Sequence, residues 1–118
     1  MAEIPIIDPQ AIENLRSLNP GDNDEFLREI TVIFLEDTPL RIAELDQSLP
    51  AGDVAKFCRA AHSIKGSSSN LGTMRLRAVA ERLEHESRTT GLSGLEPLVA
   101  EIKAEFAIAH AELKRLLP

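Results

Sequence analysis

An all-α fold, an antiparallel four-helix bundle with a short additional N-terminal helix, is predicted by three observations. Apolar residues recur at spacings of three and four through nearly the whole chain, the period of one helical face. Helix-start and helix-stop residues interrupt that pattern at regular intervals. No segment alternates apolar and polar residues with period two over a useful length, so no sheet is expected. The core chemistry agrees, because four Phe and no Trp or Tyr leave Leu, Ile, Val and Ala to fill the interior.

Asp8-Pro9 reads as an N-cap followed by proline at the first helical position, opening a short helix to about Leu18. Asn19-Pro20-Gly21 breaks it. Asp22 with Glu25, or Asn23, caps a long second helix running to about Leu49. Phe26, Ile30, Ile33, Phe34, Leu40, Leu45 and Leu49 are its expected buried stripe. Pro39 should kink this helix rather than end it, since the periodicity resumes at once. Pro50-Ala51-Gly52 reads as a turn, and Asp53 as the cap of the third helix. Its stripe is Val54, Phe57, Cys58, Ala61, Ile64 and Ser68, which leaves His62 at the border. Leu71-Gly72 closes that helix with a glycine C-cap, and Thr73 starts the fourth, whose inward residues are Leu76, Val79, Ala80 and Leu83. Gly91 stops it. Ser93 and Glu96 suggest a capping box for the fifth helix, with Leu95, Leu98, Val99, Ile102, Phe106, Ala109, Leu113 and Leu116 inward. The first seven residues are expected to be extended, with Ile4, Ile6 or Ile7 packed loosely on the bundle.

A chain of 118 residues, 1–118, is one domain with a single core. Its net charge of −6 disfavours nucleic acid and anionic membranes as partners. No apolar run approaches the roughly 20 residues of a membrane span, and no signal-peptide pattern opens the sequence. The single cysteine, Cys58, excludes an internal disulfide and reads as a buried thiol. A cytoplasmic monomer follows most simply. The starting methionine and the Pro118 end suit a free-standing protein, though an excised domain would look the same.

The chemistry concentrates in the run from His62 to Gly72, HSIKGSSSNLG. His62, Lys65 and Gly66 stand at i, i+3 and i+4 of a helix and share a face. His62 is titratable and nucleophilic, and Lys65 is a positive charge able to neutralise an anion held on the ring. A helical side chain leans back over the preceding turn, so a larger residue at 66 would partly cover His62. Glycine costs up to about 1 kcal/mol inside a helix, which makes access to the imidazole its natural explanation. Ser67, Ser68, Ser69 and Asn70 add small polar donors nearby. A covalent phosphate on the ring fits these requirements.

The pattern HxxKGSSxxLG resembles the signature of histidine-containing phosphotransfer (HPt) domains, the carriers of two-component phosphorelays. The resemblance is strongest over positions 57 to 88. It implies that His62 accepts a phosphoryl group on Nε2 and that Lys65 holds its oxygens. It also implies that Gly66 lets a partner approach, and that a polar residue of the fourth helix bonds Nδ1. Glu84 borders its stripe as His62 borders its own, and is the candidate; the bland alternative is a surface Glu84–Arg88 ion pair. Arg59 could support the phosphate or steer an acidic partner, but a solvated cation explains it better. Partners implied are response-regulator receiver domains or a hybrid sensor histidine kinase. No cofactor is expected on this chain, with Mg2+ expected in the receiver's acidic pocket.

Other histidines carry less. His85 projects away from its apolar stripe, and His110 lacks the lysine at i+3 and the glycine at i+4 that follow His62. No nucleotide-binding or kinase motif is present, so an independent catalytic apparatus is not expected and "enzyme" is a poor label. Convergent metal ligands are not expected either. The rival reading is a phosphate-independent docking module for receivers or kinases. Leu27 and Leu35, off the expected stripe of the second helix, are candidate anchors for a docked partner, with burial against the first helix as the alternative.

Overall fold

The computed structural model describes residues 4–117, and within them five helices and no strand. They are α1 (Pro9–Leu18), α2 (Glu25–Ala51), α3 (Val54–Leu71), α4 (Met74–Thr90) and α5 (Glu96–Leu116). Two-residue connections join α2 to α3 and α3 to α4, which forces neighbours to run antiparallel. α3 packs on α2 and α4, and α5 packs on α4 and α2, so the four long helices close into a bundle. α1 lies across α2 and α3. Phe57, Leu27, Leu45, Ile64, Leu71, Leu76, Leu83, Ile102 and Leu113 fill the interior.

Capping residues set the boundaries much as the sequence suggests. The Asp8 carboxylate accepts the Gln10 amide at 3.0 Å, and that of Asp53 accepts the Lys56 amide at 3.1 Å. Asp22 accepts the Phe26 amide at 2.9 Å, so it satisfies the start of α2 from two residues upstream of the cap position. Asn23 and Asp24 turn left-handed to make this possible. Gly72 does two things. Its φ of +70° ends α3, and its carbonyl accepts the Asp8 amide at 2.8 Å. A Cβ there would stand 2.6 Å from Ala11 Cβ. The glycine therefore seats α1 on the α3–α4 turn.

Several expectations are corrected. Ile33 and Leu40 are 61% and 58% exposed, and Val54 is exposed as well. The inward face of α2 is Leu27, Thr31, Phe34, Thr38, Ile42, Leu45 and Ser48. Polar residues that satisfy themselves on the helix replace the missing apolar ones: Thr31 and Ser48 donate to the carbonyls of Leu27 and Glu44. Leu27 is thus core, and Leu35 packs half-buried against it, so neither is a free anchor. α2 runs through both Pro39 and Pro50 and ends at Ala51, two residues later than expected, with Gly52 as its C-cap. The Ser93–Glu96 capping box does not form. Leu92 and Leu95 are buried in that turn instead, which leaves Ser93 in solvent. Leu116 is 40% exposed, and Cys58 is only half-buried. Ile7 packs on the core and Ile6 is half-buried, while Ile4 is exposed. The expected extension of residues 1–3 lies outside the described residues. No described helix is long and apolar enough to cross a membrane.

Candidate functional site

α3 and α4 each place one polar residue directly after a fully buried apolar one. His62 follows Ala61, and Glu84 follows Leu83. Both helices turn their apolar faces inward, so the next position on each lands on the seam between them. There His62 Nδ1 lies 2.7 Å from Glu84 Oε2. The two ends of this bond differ sharply in environment: the His62 side chain is 63% exposed and that of Glu84 only 5%.

Glu84 also receives two permanent cations. Lys65 Nζ is 2.7 Å from Oε1, and Arg88 Nη2 is 3.1 Å from Oε2. Burial by itself raises the Glu84 pKa. The hydrogen bonds from Lys65 and His62, together with their charges, outweigh it and hold the carboxyl below its usual range. An ionised carboxylate is acceptor-only. The short contact therefore requires the hydrogen on His62 Nδ1. In the neutral ring the Nε2 lone pair is then free and faces solvent, which is the state a nucleophilic imidazole needs. Both sequence alternatives for Glu84 hold at once, since the Nδ1 bond and the Arg88 pair share one oxygen.

Gly66 sits one turn beyond His62 with nothing within 4 Å of where a Cβ would stand. Packing gives no reason for a glycine here, and its φ is not left-handed. The surface next to the ring is therefore left open at this position.

Lys65 does not point into free solvent awaiting an anion, because Glu84 holds it. The serines are less available than the sequence suggests. Ser68 is fully buried, and Ser67 Oγ donates to the Ser63 carbonyl at 3.1 Å. Ser69 Oγ donates to the Lys65 carbonyl at 3.0 Å and accepts from Arg77 Nε at 2.7 Å. Arg59 is exposed and forms no ion pair among the described residues. His85 is exposed, and His110 stacks on Phe106 with ring centroids 5.9 Å apart. Among the described residues no three His, Cys, Asp or Glu side chains converge as metal ligands. Sequence reasoning treated Arg88 only as the rival explanation of Glu84; its i+4 spacing was the signal that it belongs to the site.

An Hpt domain family model matches residues 29–114. The chain belongs to the Hpt domain family. This Hpt domain is 30% identical over 96 residues to multistep phosphorelay regulator 1 of Schizosaccharomyces pombe, across 81% of its own length. It spans about a third, 32%, of that relative. It is 26% identical over 110 residues to histidine-containing phosphotransfer protein 4 of Arabidopsis thaliana, covering 92% of this chain and 86% of the relative. Among solved structures, histidine-containing phosphotransfer protein B of Pseudomonas aeruginosa PAO1 superposes with a TM-score of 0.85 at 29% identity. The match covers 96% of this chain and 95% of that one. The HPT domain of a Shewanella sensor hybrid histidine kinase shares the fold, with a TM-score of 0.73 at 18% identity over 98% and 96% of the two chains.

Proposed function

We propose that this Hpt domain is a phosphorelay carrier that takes a phosphoryl group on His62 Nε2 and passes it on. The observation that carries the reading is the 2.7 Å bond from His62 Nδ1 to the buried Glu84, which presents Nε2 on an exposed ring beside the open Gly66. In loading, the Nε2 lone pair forms the N–P bond as the P–O bond to a donor aspartyl phosphate breaks. That oxygen leaves with the electron pair as a carboxylate. Nδ1 keeps its proton, so the ring becomes cationic and Glu84 balances it. Unloading reverses the sequence onto an acceptor aspartate.

Donor and acceptor in this reading are receiver domains of response regulators or of a hybrid sensor kinase, met in the cytoplasm by a monomeric carrier. This chain supplies the nucleophile, its tautomer and its counter-charges. Mg2+ is assigned to the receiver's acidic pocket, where it supplies charge neutralisation during transfer.

The test uses phosphoramidate, a small donor that needs no partner, with intact-mass detection. The wild type gains one phosphoryl group that is acid-labile and base-stable. His62→Gln gains none, and keeps its helicity because the ring it replaces is mostly exposed. Labelling that persists in His62→Gln overturns the assignment. A wild type that stays unlabelled yet binds receivers favours the docking module.

A further inference from the structure

A cleft of about 400 Å³ lies between α1 and α5. Pro9 and Ile12 line it from α1, Leu113 and Leu116 from α5, and Ile6 and Ile7 from the segment before α1. The two helices do not close on it. Among the described residues α1 packs on α2 and α3 and stands off from α5. Well-packed interiors leave few voids larger than a water molecule, and cavities lined by aliphatic side chains stay dry and take up apolar molecules. Leu116 is 40% exposed, so one wall opens to solvent and a ligand can enter.

The rim sets the charge of that ligand. α1 brings Glu13 and Arg16 to the cleft, and α5 brings Glu112 and Arg115. Arg16 is held by Glu13 at 2.5 Å and by Asp24 at 3.1 Å, and Arg115 is held by Glu112. Each guanidinium thus already has a carboxylate on its own helix. An anionic head group would have to draw an arginine from its partner, and a cationic one would have to draw a glutamate. A neutral molecule disturbs neither pair.

We propose that this cleft binds a neutral, mainly apolar small molecule, of the class of a medium-chain alcohol, wedged between α1 and α5. A dry cavity of about 150 Å³ holds one benzene, so this one admits roughly ten to fifteen non-hydrogen atoms. The bound molecule ties α1 to α5, which the chain itself does not do. α1 is otherwise fastened at its start, where the Asp8 amide donates to the Gly72 carbonyl at 2.8 Å. No residue of α3 or α4 lines the cleft, so the site stands or falls independently of the carrier reading.

The experiment titrates the full chain with 1-decanol, decanoate and decylammonium, each below its solubility and micellar limits. Binding is followed by methyl NMR and by thermal unfolding. Decanol is expected to move the methyl signals of Ile12, Leu113 and Leu116 saturably. It should raise Tm by about 4–8 °C at ten times its dissociation constant. It should bind about three- to fivefold more tightly than either charged homologue, the scale of disturbing one exposed ion pair. Leu116→Trp fills the cleft from its open wall and abolishes the saturable shifts, whereas Leu40→Trp, on the exposed surface of α2, leaves them in place. Absence of saturable shifts overturns the proposal. So do shifts that reach Ile33 and Leu40 as strongly as Ile12, which mean adsorption to any exposed apolar surface. Tighter binding of decanoate or decylammonium overturns the neutral class, and undiminished binding by folded Leu116→Trp overturns the location. If Leu116→Trp does not fold, Ile6→Trp on another wall of the cleft decides the location by the same outcomes.

Discussion

Gly66 invites a test in which stability and function should move in opposite directions. A Cβ at position 66 meets nothing within 4 Å, and the backbone there is ordinary helix. Gly66→Ala therefore removes the conformational freedom of glycine without a clash, and should stabilise the fold by about 0.5–1 kcal/mol. For a domain of this size that is a rise in Tm of about 2–6 °C. Gly72→Ala is the contrast. Its φ of +70° costs an L-residue about 1–2 kcal/mol. The new Cβ would also stand 2.6 Å from Ala11 Cβ and 3.0 Å from the Asp8 carbonyl oxygen. That contact pries α1 from the α3–α4 turn, so Tm should fall. Thermal unfolding followed by circular dichroism compares the three proteins directly. Transfer from a phosphorylated receiver to Gly66→Gln supplies the functional arm, and should slow sharply while the protein stays folded. A destabilised Gly66→Ala would refute the packing argument, and unimpaired transfer in Gly66→Gln would refute access as the reason for the glycine.

Two further outcomes follow from burial and charge. Leu27→Ala should cost about 2–5 kcal/mol, as core truncations do, while Leu40→Ala, 58% exposed, should change stability by no more than about 0.5 kcal/mol; similar losses in chemical denaturation would mean that the inward face of α2 is misassigned. Glu84 has its folded pKa below its unfolded one, so its contribution is complete above the ordinary carboxylate range and fades as pH falls through the lowered folded value. The acid limb of the stability profile should therefore flatten in Glu84→Gln, and nitrogen NMR of His62 should show the Nδ1–H tautomer lost in Glu84→Ala. An acid limb identical to wild type would place the three contacts of Glu84 outside the energetics of folding.

The bundle was legible because its causes are local. Period-3.6 stripes, Asp8 and Asp53 as caps and Gly72 as a stop are properties of short windows, and the structure uses all of them. What failed depended on what each element packs against. Ile33 and Leu40 looked inward because they are apolar, yet α2 turns Thr31, Thr38 and Ser48 toward its neighbours and leaves those two in solvent. Thr31 and Ser48 are buried with their hydroxyls bonded to their own helix, whereas the buried Thr38 hydroxyl finds no partner, and hydropathy registers none of this. The Ser93–Glu96 box failed for a related reason, since burial of Leu92 and Leu95 fixes the entry into α5. At the site, the border positions of His62 and Glu84 were visible separately. Their meeting at 2.7 Å required knowing that α3 and α4 are neighbours in register.

The departures from ordinary helix design fall in one place. A glycine inside α3 gives up helix propensity, a carboxylate beside Leu83 is buried, and an imidazole is left largely exposed although it is hydrogen-bonded. The glycine and the buried carboxylate each cost stability when taken alone. Together they make one arrangement: the buried carboxylate fixes the tautomer, the exposed ring presents its free nitrogen, and no side chain at position 66 stands over it. A structural histidine would ask for none of the three. Glu84 also gathers three contacts, from His62, Lys65 and Arg88, where an ordinary surface ion pair on α4 would need only one of them.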